Sequence, residues 1–121
     1  MVPVLKFGDV LVASILAALS DEDLDELRCE VVESVGRFRA RGVIIDVTAL
    51  DVLDSFATRT LRGIAHAAQL RGADTIVVGI QPDVAVAMVQ LGLGLEDITT
   101  ALDVEDGMTL LDERRRSRHG S

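Results

Sequence analysis

The sequence predicts an α/β fold in which a mixed, mostly parallel sheet of five strands is covered by about four helices. Two stretches, GVIIDVT at residues 42–48 and DTIVVGI at 74–80, are nearly continuous apolar runs rich in β-branched residues. Such runs are typical of parallel strands that are buried beneath helices. The segments around them carry apolar residues at helical spacing, and this alternation indicates right-handed crossovers. With 121 residues, the chain forms one domain around one core.

The N-terminal part of the chain predicts a hairpin followed by an amphipathic helix. PVLKFGDVLVASI, at residues 3–15, is interpreted as two short strands joined at Gly8 and Asp9. Ser20 is a suitable N-cap, and the acidic residues after it favour the positive end of a helix dipole. Gly42 is expected to stop this helix. The apolar face recurs every three or four residues, at Leu24, Leu27, Val31, Val35 and Phe38.

The rest of the chain predicts three more helices and a short edge strand. A second helix begins at Asp54 and Ser55, after the strand at 42–48, and closes near Gly72. Gln81, Pro82 and Asp83 open a third helix, because proline costs nothing in a first turn, and this helix extends through Leu91. DITTAL, at 97–102, is the edge strand, and a last helix follows. We expect the domain to span residues 1–113 and residues 114–121 to be a disordered, arginine-rich tail.

Composition excludes several classes of function. Residues 1–113 hold 8 basic and 20 acidic side chains, so this part of the chain repels phosphate backbones. There is no Trp or Tyr to stack on single-stranded bases, and we predict no nucleic-acid partner. One cysteine and two histidines are too few for a zinc site, and the lone Cys29 fits a reducing cytoplasm. No apolar stretch approaches the roughly 20 residues that span a bilayer.

The residues argue against two catalytic or phosphoryl-transfer classes. A hydrolase with Ser55 as nucleophile lacks a G-x-S-x-G motif, and His66 lies eleven residues along the same helix, about 16 Å away. A phosphoryl-accepting receiver domain would use Asp46, at the end of a parallel strand. It also needs an acidic pair after the first strand and a late lysine, whereas the only lysine here is Lys6. We therefore interpret Asp46, Asp51 and Asp54 as turn and cap residues.

Asp54 and Ser55 by themselves predict an ordinary helix start. The first backbone N–H groups of a helix are unpaired and the helix dipole favours anions, so a phosphate is accommodated there. Phosphorylation of Ser55 would add roughly −1.5 to −2 charges beside Asp51 and Asp54. The local fold would tolerate that charge, while a docked acidic surface would be repelled.

Three stretches of the chain carry a resemblance to a known family: GVIIDVTALDVLDSF at 42–56, VVGIQP at 77–82 and LGLGLEDITTALDVEDG at 91–107. Together they resemble a STAS domain, the fold of bacterial anti-anti-sigma factors, over residues 2 to about 113. In that family the serine or threonine at the start of the second helix is the regulatory phosphoacceptor, and Ser55 stands there. Asp-Ser-Phe, where better-known members have Asp-Ser-Ser, is similar to the RsbS type, the small scaffold of the stressosome.

The resemblance implies a protein without catalysis of its own. An RsbS-like scaffold sequesters an RsbT-type serine kinase and releases it when the kinase phosphorylates the scaffold serine, here Ser55. A PP2C-type phosphatase would remove the phosphate from the serine. The chain would form either a homo-oligomer or a large hetero-assembly with RsbR-type STAS paralogues. ATP belongs to the kinase, so the resemblance implies no cofactor. The alternative is an anti-anti-sigma factor that binds an anti-sigma kinase directly.

Four residues are expected to support the phosphoacceptor or the partner surface. Asp54 is the predicted helix cap, and Asp51 lies before it. Phe56 has two interpretations, as core beneath the second helix or as a partly exposed apolar contact for the kinase. Asp83 follows the Gln-Pro turn, where some stressosome domains carry a second Ser or Thr. Its carboxylate would supply there a constant negative charge, like that of a phosphorylated residue.

Two further hydroxyls on the second helix, those of Thr58 and Thr60, are candidate secondary acceptors. Thr60 falls on the inward face of the predicted helix, which argues against it.

Overall fold

The computed structural model describes residues 2–95 and 97–119, in which five strands and four helices follow each other in the predicted order. The strands are β1 (Val4–Phe7), β2 (Val10–Ser14), β3 (Gly42–Asp46), β4 (Asp74–Val78) and β5 (Thr99–Ala101). The helices are α1 (Asp21–Phe38), α2 (Ser55–Leu70), α3 (Pro82–Gln90) and α4 (Val104–His119).

The strands form one sheet in the order β1-β2-β3-β4-β5. β1 and β2 are the antiparallel hairpin, and each later neighbouring pair is parallel, with one helix in every crossover. The prediction of a mixed, mostly parallel five-stranded sheet with four helices is confirmed. In this register Ser14 pairs with Asp46, and Asp46 pairs with Val78. The carboxyl ends of β2, β3 and β4 therefore meet at one edge, next to the loops that lead into α2 and α3.

Helices cover both faces of the sheet, which explains why its central strands are apolar at nearly every position. Val43 and Ile45 of β3 belong to the core beneath α1, α2 and α3, whereas Ile44 faces α4. All three side chains are fully buried. On the α4 face, Leu111 packs over Ile44 and its neighbours in β2 and β4.

The end of α1 differs from the prediction, which assigned the stop to Gly42. The helix ends at Phe38, and Arg39 is its C-cap in the left-handed conformation, with φ 51°. Gly42 is instead the first residue of β3. A Cβ atom at Gly42 would lie 2.6 Å from Leu111 Cδ1, so the glycine lets the Leu111 side chain pack directly on β3.

The structure also differs from the disordered segment expected at 114–121. α4 continues through that segment to His119, and its arginines contact the body of the domain. Arg114 donates a hydrogen bond to the Thr99 hydroxyl, and Arg115 donates to the Asp9 carboxylate in the β1–β2 turn. Residues 120 and 121 lie outside the described residues, and the domain boundary at residue 113 stays a prediction.

Candidate functional site

Ser55 is the first residue of α2, directly after its N-cap. Asp54 has the extended backbone of an N-cap, and its carboxylate accepts a hydrogen bond from Ala57 N at 2.8 Å. The predicted role of Asp54 as helix cap is confirmed. The Thr58 N–H group donates to the Asp54 carbonyl oxygen, also within α2's first turn. Ser55 itself is exposed, and its hydroxyl makes no hydrogen bond to any residue that the structure describes.

The other two hydroxyls of α2, those of Thr58 and Thr60, are buried and hydrogen-bonded, so a modifying enzyme cannot reach them in this conformation. Thr58 and Thr60 are 2% and 5% exposed, and each hydroxyl donates to a backbone carbonyl one turn earlier. Thr58 Oγ1 lies 2.8 Å from Asp54 O, and Thr60 Oγ1 lies 2.9 Å from Phe56 O. Ser55 is therefore the one hydroxyl of α2 that an enzyme can reach in this conformation.

A mostly apolar cleft of about 390 Å³ runs between the loop before α2 and the helix α3, with Ser55 on its rim. Val84 and Met88 of α3 are buried and form part of its floor. Val52, in the loop, and Leu91, just after α3, line the same cleft and are 70% and 72% exposed. Exposed aliphatic side chains beside a polar rim are a feature of protein-binding surfaces.

The structure brings three of the predicted site residues together and leaves two outside the cleft. Asp51, Asp54 and Ser55 all line it. Phe56 is half-buried and does not belong to the buried core, so the interpretation as core beneath α2 is not supported. Asp83 is exposed in the first turn of α3, where a carboxylate suits the helix dipole.

The loop that carries Asp51 and Asp54 is fixed from below by leucines. Leu50 and Leu53 are 6% and 5% exposed and belong to the core beneath α1 and α2. Because these two side chains point into the core, the aspartates between and after them are directed to solvent.

A set of polar contacts joins this loop to the turn between β4 and α3. Asp46 Oδ1 accepts hydrogen bonds from Thr48 N at 2.9 Å and Thr48 Oγ1 at 2.6 Å. Gln81 Nε2 donates to Thr48 O at 2.7 Å. Gly79 has φ +81°, and a Cβ atom there would lie 2.0 Å from Thr48 Oγ1. We call Asp46, Thr48, Gly79 and Gln81 the loop bridge.

The sequence does not predict the loop bridge, although both stretches that it joins carry the resemblance to the STAS domain. Asp46, predicted as a turn residue, is the last residue of β3, and its carboxylate accepts the hydrogen bonds of the turn that follows. The sequence places Gln81 at the start of the third helix but does not predict its contact with Thr48, because a hydrogen bond to a backbone carbonyl 33 residues away leaves no periodic pattern. The available signal was a glutamine placed directly before the proline that begins α3.

The histidine considered as a catalytic partner of Ser55 has another neighbour in the structure. His66 Nε2 lies 3.8 Å from Asp97 Oδ2, so this imidazole is directed to the segment before β5. No group of three or more His, Cys, Asp or Glu side chains in the described ranges could hold a metal ion. In the same ranges, no helix is both long and apolar enough to cross a membrane.

Comparison with protein families gives a match to the STAS domain over residues 2–107. The chain is also similar to the RsbT co-antagonist protein RsbRA of Bacillus subtilis (strain 168), with 25% identity over 108 residues. That alignment covers 89% of this chain and 39% of RsbRA, so the chain spans well under half of this relative.

Two solved structures are similar in both sequence and fold. A variant of Moorella thermoacetica RsbS, in which a serine is replaced by glutamate, is 33% identical with a TM-score of 0.82. The superposition covers 95% of this chain and 97% of that one. A structure of the stressosome, described as a signal integration and transduction hub, contains a chain that is 32% identical with a TM-score of 0.74. It covers 94% of this chain and 99% of that chain.

Proposed function

Because the chain belongs to the STAS domain family, we propose that it is a non-catalytic, phosphorylation-switched scaffold of a stressosome-like complex. In this proposal the unmodified protein sequesters an RsbT-type serine kinase. Phosphorylation of Ser55 by that kinase releases it. The neighbouring groups Asp51, Asp54, Phe56 and Asp83 form the surface on which release depends.

The observation that carries this proposal is the state of the Ser55 hydroxyl. It is exposed and has no hydrogen bond among the described residues, whereas the hydroxyls of Thr58 and Thr60 are buried and bonded. It also lies on the rim of a cleft with exposed aliphatic side chains, so a new charge on Ser55 would weaken the binding of a partner in the cleft. One accessible acceptor beside one docking surface is what a release switch requires.

The helix start can hold the phosphate without unfolding. Asp54 already occupies the N–H groups of Ala57 and Thr58, while those of Ser55 and Phe56 have no partner among the described residues. A phosphate on Ser55 would accept hydrogen bonds from these N–H groups, and the positive end of the helix dipole would stabilise its charge. Its roughly −1.5 to −2 charges would add to Asp51 and Asp54 on the same rim. The domain stays folded while an acidic partner surface is repelled.

The similar proteins support the choice of partners. RsbRA is named as an RsbT co-antagonist, which supports an RsbT-type kinase as the partner of this chain. The similarity to a stressosome chain supports co-assembly with RsbR-type paralogues in a large complex. A PP2C-type phosphatase would remove the phosphate, and all of these steps would take place in the cytoplasm. ATP would be bound by the kinase, so this chain needs no cofactor.

The test is a kinase-release assay. The protein is incubated with an RsbT-type kinase and ATP, phosphate is mapped by mass spectrometry, and bound kinase is measured before and after. We expect phosphate on Ser55 and loss of the bound kinase. Ser55→Ala should bind the kinase and retain it, and Ser55→Asp should bind it at least about tenfold more weakly, as expected for a like-charge contact.

Thr100→Ala is the matched control, because Thr100 is an exposed hydroxyl on the edge strand β5, outside the cleft. This variant should be phosphorylated and should release the kinase as the parent protein does. Phosphate found only at positions other than Ser55 would contradict the site. Tight binding of an anti-sigma kinase, with none of the RsbT-type kinase, would favour the direct anti-anti-sigma role instead.

A further inference from the structure

A groove far from Ser55 combines an apolar floor with an acidic rim. It lies between the start of β1 and the first half of α1 and has a volume of about 420 Å³. We call it the acidic groove. Its main apolar side chains are Val2, Val4 and Leu27, and its carboxylates are those of Asp23, Glu26 and Glu30.

The negative charge of the acidic groove is largely unmatched within the chain. Glu30 is 3.9 Å from Arg37 Nη2, in a solvent-exposed pair. The carboxylates of Asp23 and Glu26 form no ion pair with any residue that the structure describes, and both residues are exposed. The groove therefore suits a ligand that carries positive charge on an aliphatic stem.

The opposite type of surface is found at the end of α4. Four arginines lie between residues 114 and 118. Arg114 and Arg115 already contact Thr99 and Asp9, while Arg116 is exposed without an ion pair in the described ranges. An arginine side chain lays its methylene stem along apolar surface and keeps its guanidinium group on carboxylates. This is the chemistry that the acidic groove would bind.

The two surfaces cannot meet within one molecule. Arg115 contacts Asp9, so the end of α4 lies at the turn of the β1–β2 hairpin. The acidic groove lies at the other end of the hairpin, where Val4 pairs with Ala13. Moreover, α4 covers one face of the sheet, and α1, which forms a wall of the groove, covers the other. Any contact between them must therefore join two copies.

We propose that the acidic groove of one copy binds the arginine-rich end of α4, including Arg116, of a second copy. Because the two surfaces differ, this contact is heterologous, and repetition joins copies head to tail into rings or open chains. Ser55 takes no part in the contact. The proposal is therefore independent of the kinase switch, and either can fail without the other.

The test is a charge exchange monitored by sedimentation velocity of the full chain. We expect the parent protein to self-associate at high micromolar concentration and to dissociate as salt rises from about 0.05 to about 0.5 M. Glu26→Arg places a basic side chain in the groove, where it must meet the basic helix end, and Arg116→Glu places an acidic side chain on the helix end, where it must meet the acidic groove. Each variant alone should self-associate about tenfold more weakly, because an attractive pair becomes a repulsive one. A mixture of the two variants should restore association, since the side chains at positions 26 and 116 of opposite variants then carry opposite charges.

Glu33→Arg and Arg59→Glu are matched controls, because both residues are exposed and neither lines the groove or belongs to α4. They should leave association unchanged, and circular dichroism should give folded proteins throughout. A parent protein that stays monomeric at low salt would overturn the proposal. So would association that neither exchange weakens, or a mixture that fails to restore what the single variants lose.

Discussion

At the scale of single residues, the helix start at Ser55 depends on the Asp54 side chain. Its carboxylate accepts the Ala57 N–H at 2.8 Å, a contact that the amide oxygen of asparagine can also make. We expect Asp54→Ala to lower the free energy of unfolding by about 1 kcal/mol, and Asp54→Asn to lower it by only about a few tenths. Urea denaturation of the two variants measures this difference. Equal losses for both would mean that charge, and not the hydrogen bond, stabilises the start of α2.

Gly79 is a second residue on which the site depends, since its backbone has φ +81° and its α-carbon faces Thr48. We expect Gly79→Ala to lower the free energy of unfolding by about 1–3 kcal/mol, from the strained backbone and from a Cβ atom 2.0 Å from Thr48 Oγ1. The measurement is chemical denaturation.

Gly63→Ala is the control for Gly79→Ala. Gly63 lies within α2, and a Cβ atom there meets nothing within 4 Å. This substitution should raise the free energy of unfolding by about 0.5–1 kcal/mol through helix propensity. If Gly79→Ala proved as harmless as Gly63→Ala, the turn after β4 would not hold Thr48 in place.

The sequence predicted the part of the candidate site that depends on local pattern. Asp54 and Ser55 follow from the rules of helix starts, because a cap and its helix are adjacent in the chain. The loop bridge could not be predicted in the same way, since Thr48 and Gln81 come together only when β3 and β4 pair in register. The burial of Phe56 could not be predicted either. Helical spacing places it on the inward side of α2, yet Phe56 is half-buried and outside the buried core, whereas Thr58 in the same turn is buried.

At the scale of elements, the positions of strands and helices followed from hydrophobic periodicity, whereas their ends required the tertiary structure. The strand at 42–48 was predicted two residues longer than β3, which ends at Asp46. Beyond Asp46 the chain turns into the loop bridge instead of pairing further. α4 extends past its predicted end, because arginine is a good helix former and because Arg114 and Arg115 are anchored by Thr99 and Asp9.

The packing of α4 on the sheet depends on a glycine within the helix. A Cβ atom at Gly107 would lie 3.1 Å from Val78 Cγ1 and 3.3 Å from Ile44 Cδ1, which leaves no room for a larger side chain. We expect Gly107→Leu to lower the free energy of unfolding by about 2–3 kcal/mol, because α4 must move away from the sheet. Thr109→Leu, at an exposed position of the same helix, should change it by no more than about 0.5 kcal/mol. A Gly107→Leu variant as stable as the Thr109→Leu control would mean that α4 is not tightly packed.

At the scale of the whole molecule, the fold separates two kinds of surface. The central strands are buried on both faces, so they are not available to partners. Among the exposed aliphatic side chains, Val52 and Leu91 lie at the Ser55 cleft. Acidic side chains dominate the first turn of α1, whereas Arg37 lies in its last turn. A partner at the cleft and a second copy at the acidic groove would therefore use different parts of the same domain.

The net charge of the molecule gives a prediction for its stability. The formal charge is −8 at pH 7, and such an excess of one sign destabilises a compact state through self-repulsion. Salt screens this repulsion, so we expect the melting temperature of the dilute protein to rise by about 2–5 °C between low salt and about 0.3 M NaCl. Glu33→Lys, at an exposed position without an ion pair in the described ranges, brings the charge to −6 and should melt higher at low salt with a smaller response. Choline chloride at the same ionic strength should raise the melting temperature as much as NaCl does, since screening depends on ionic strength alone. A melting temperature that falls with either salt would mean that ion pairs such as that of Arg115 with Asp9 outweigh the general repulsion.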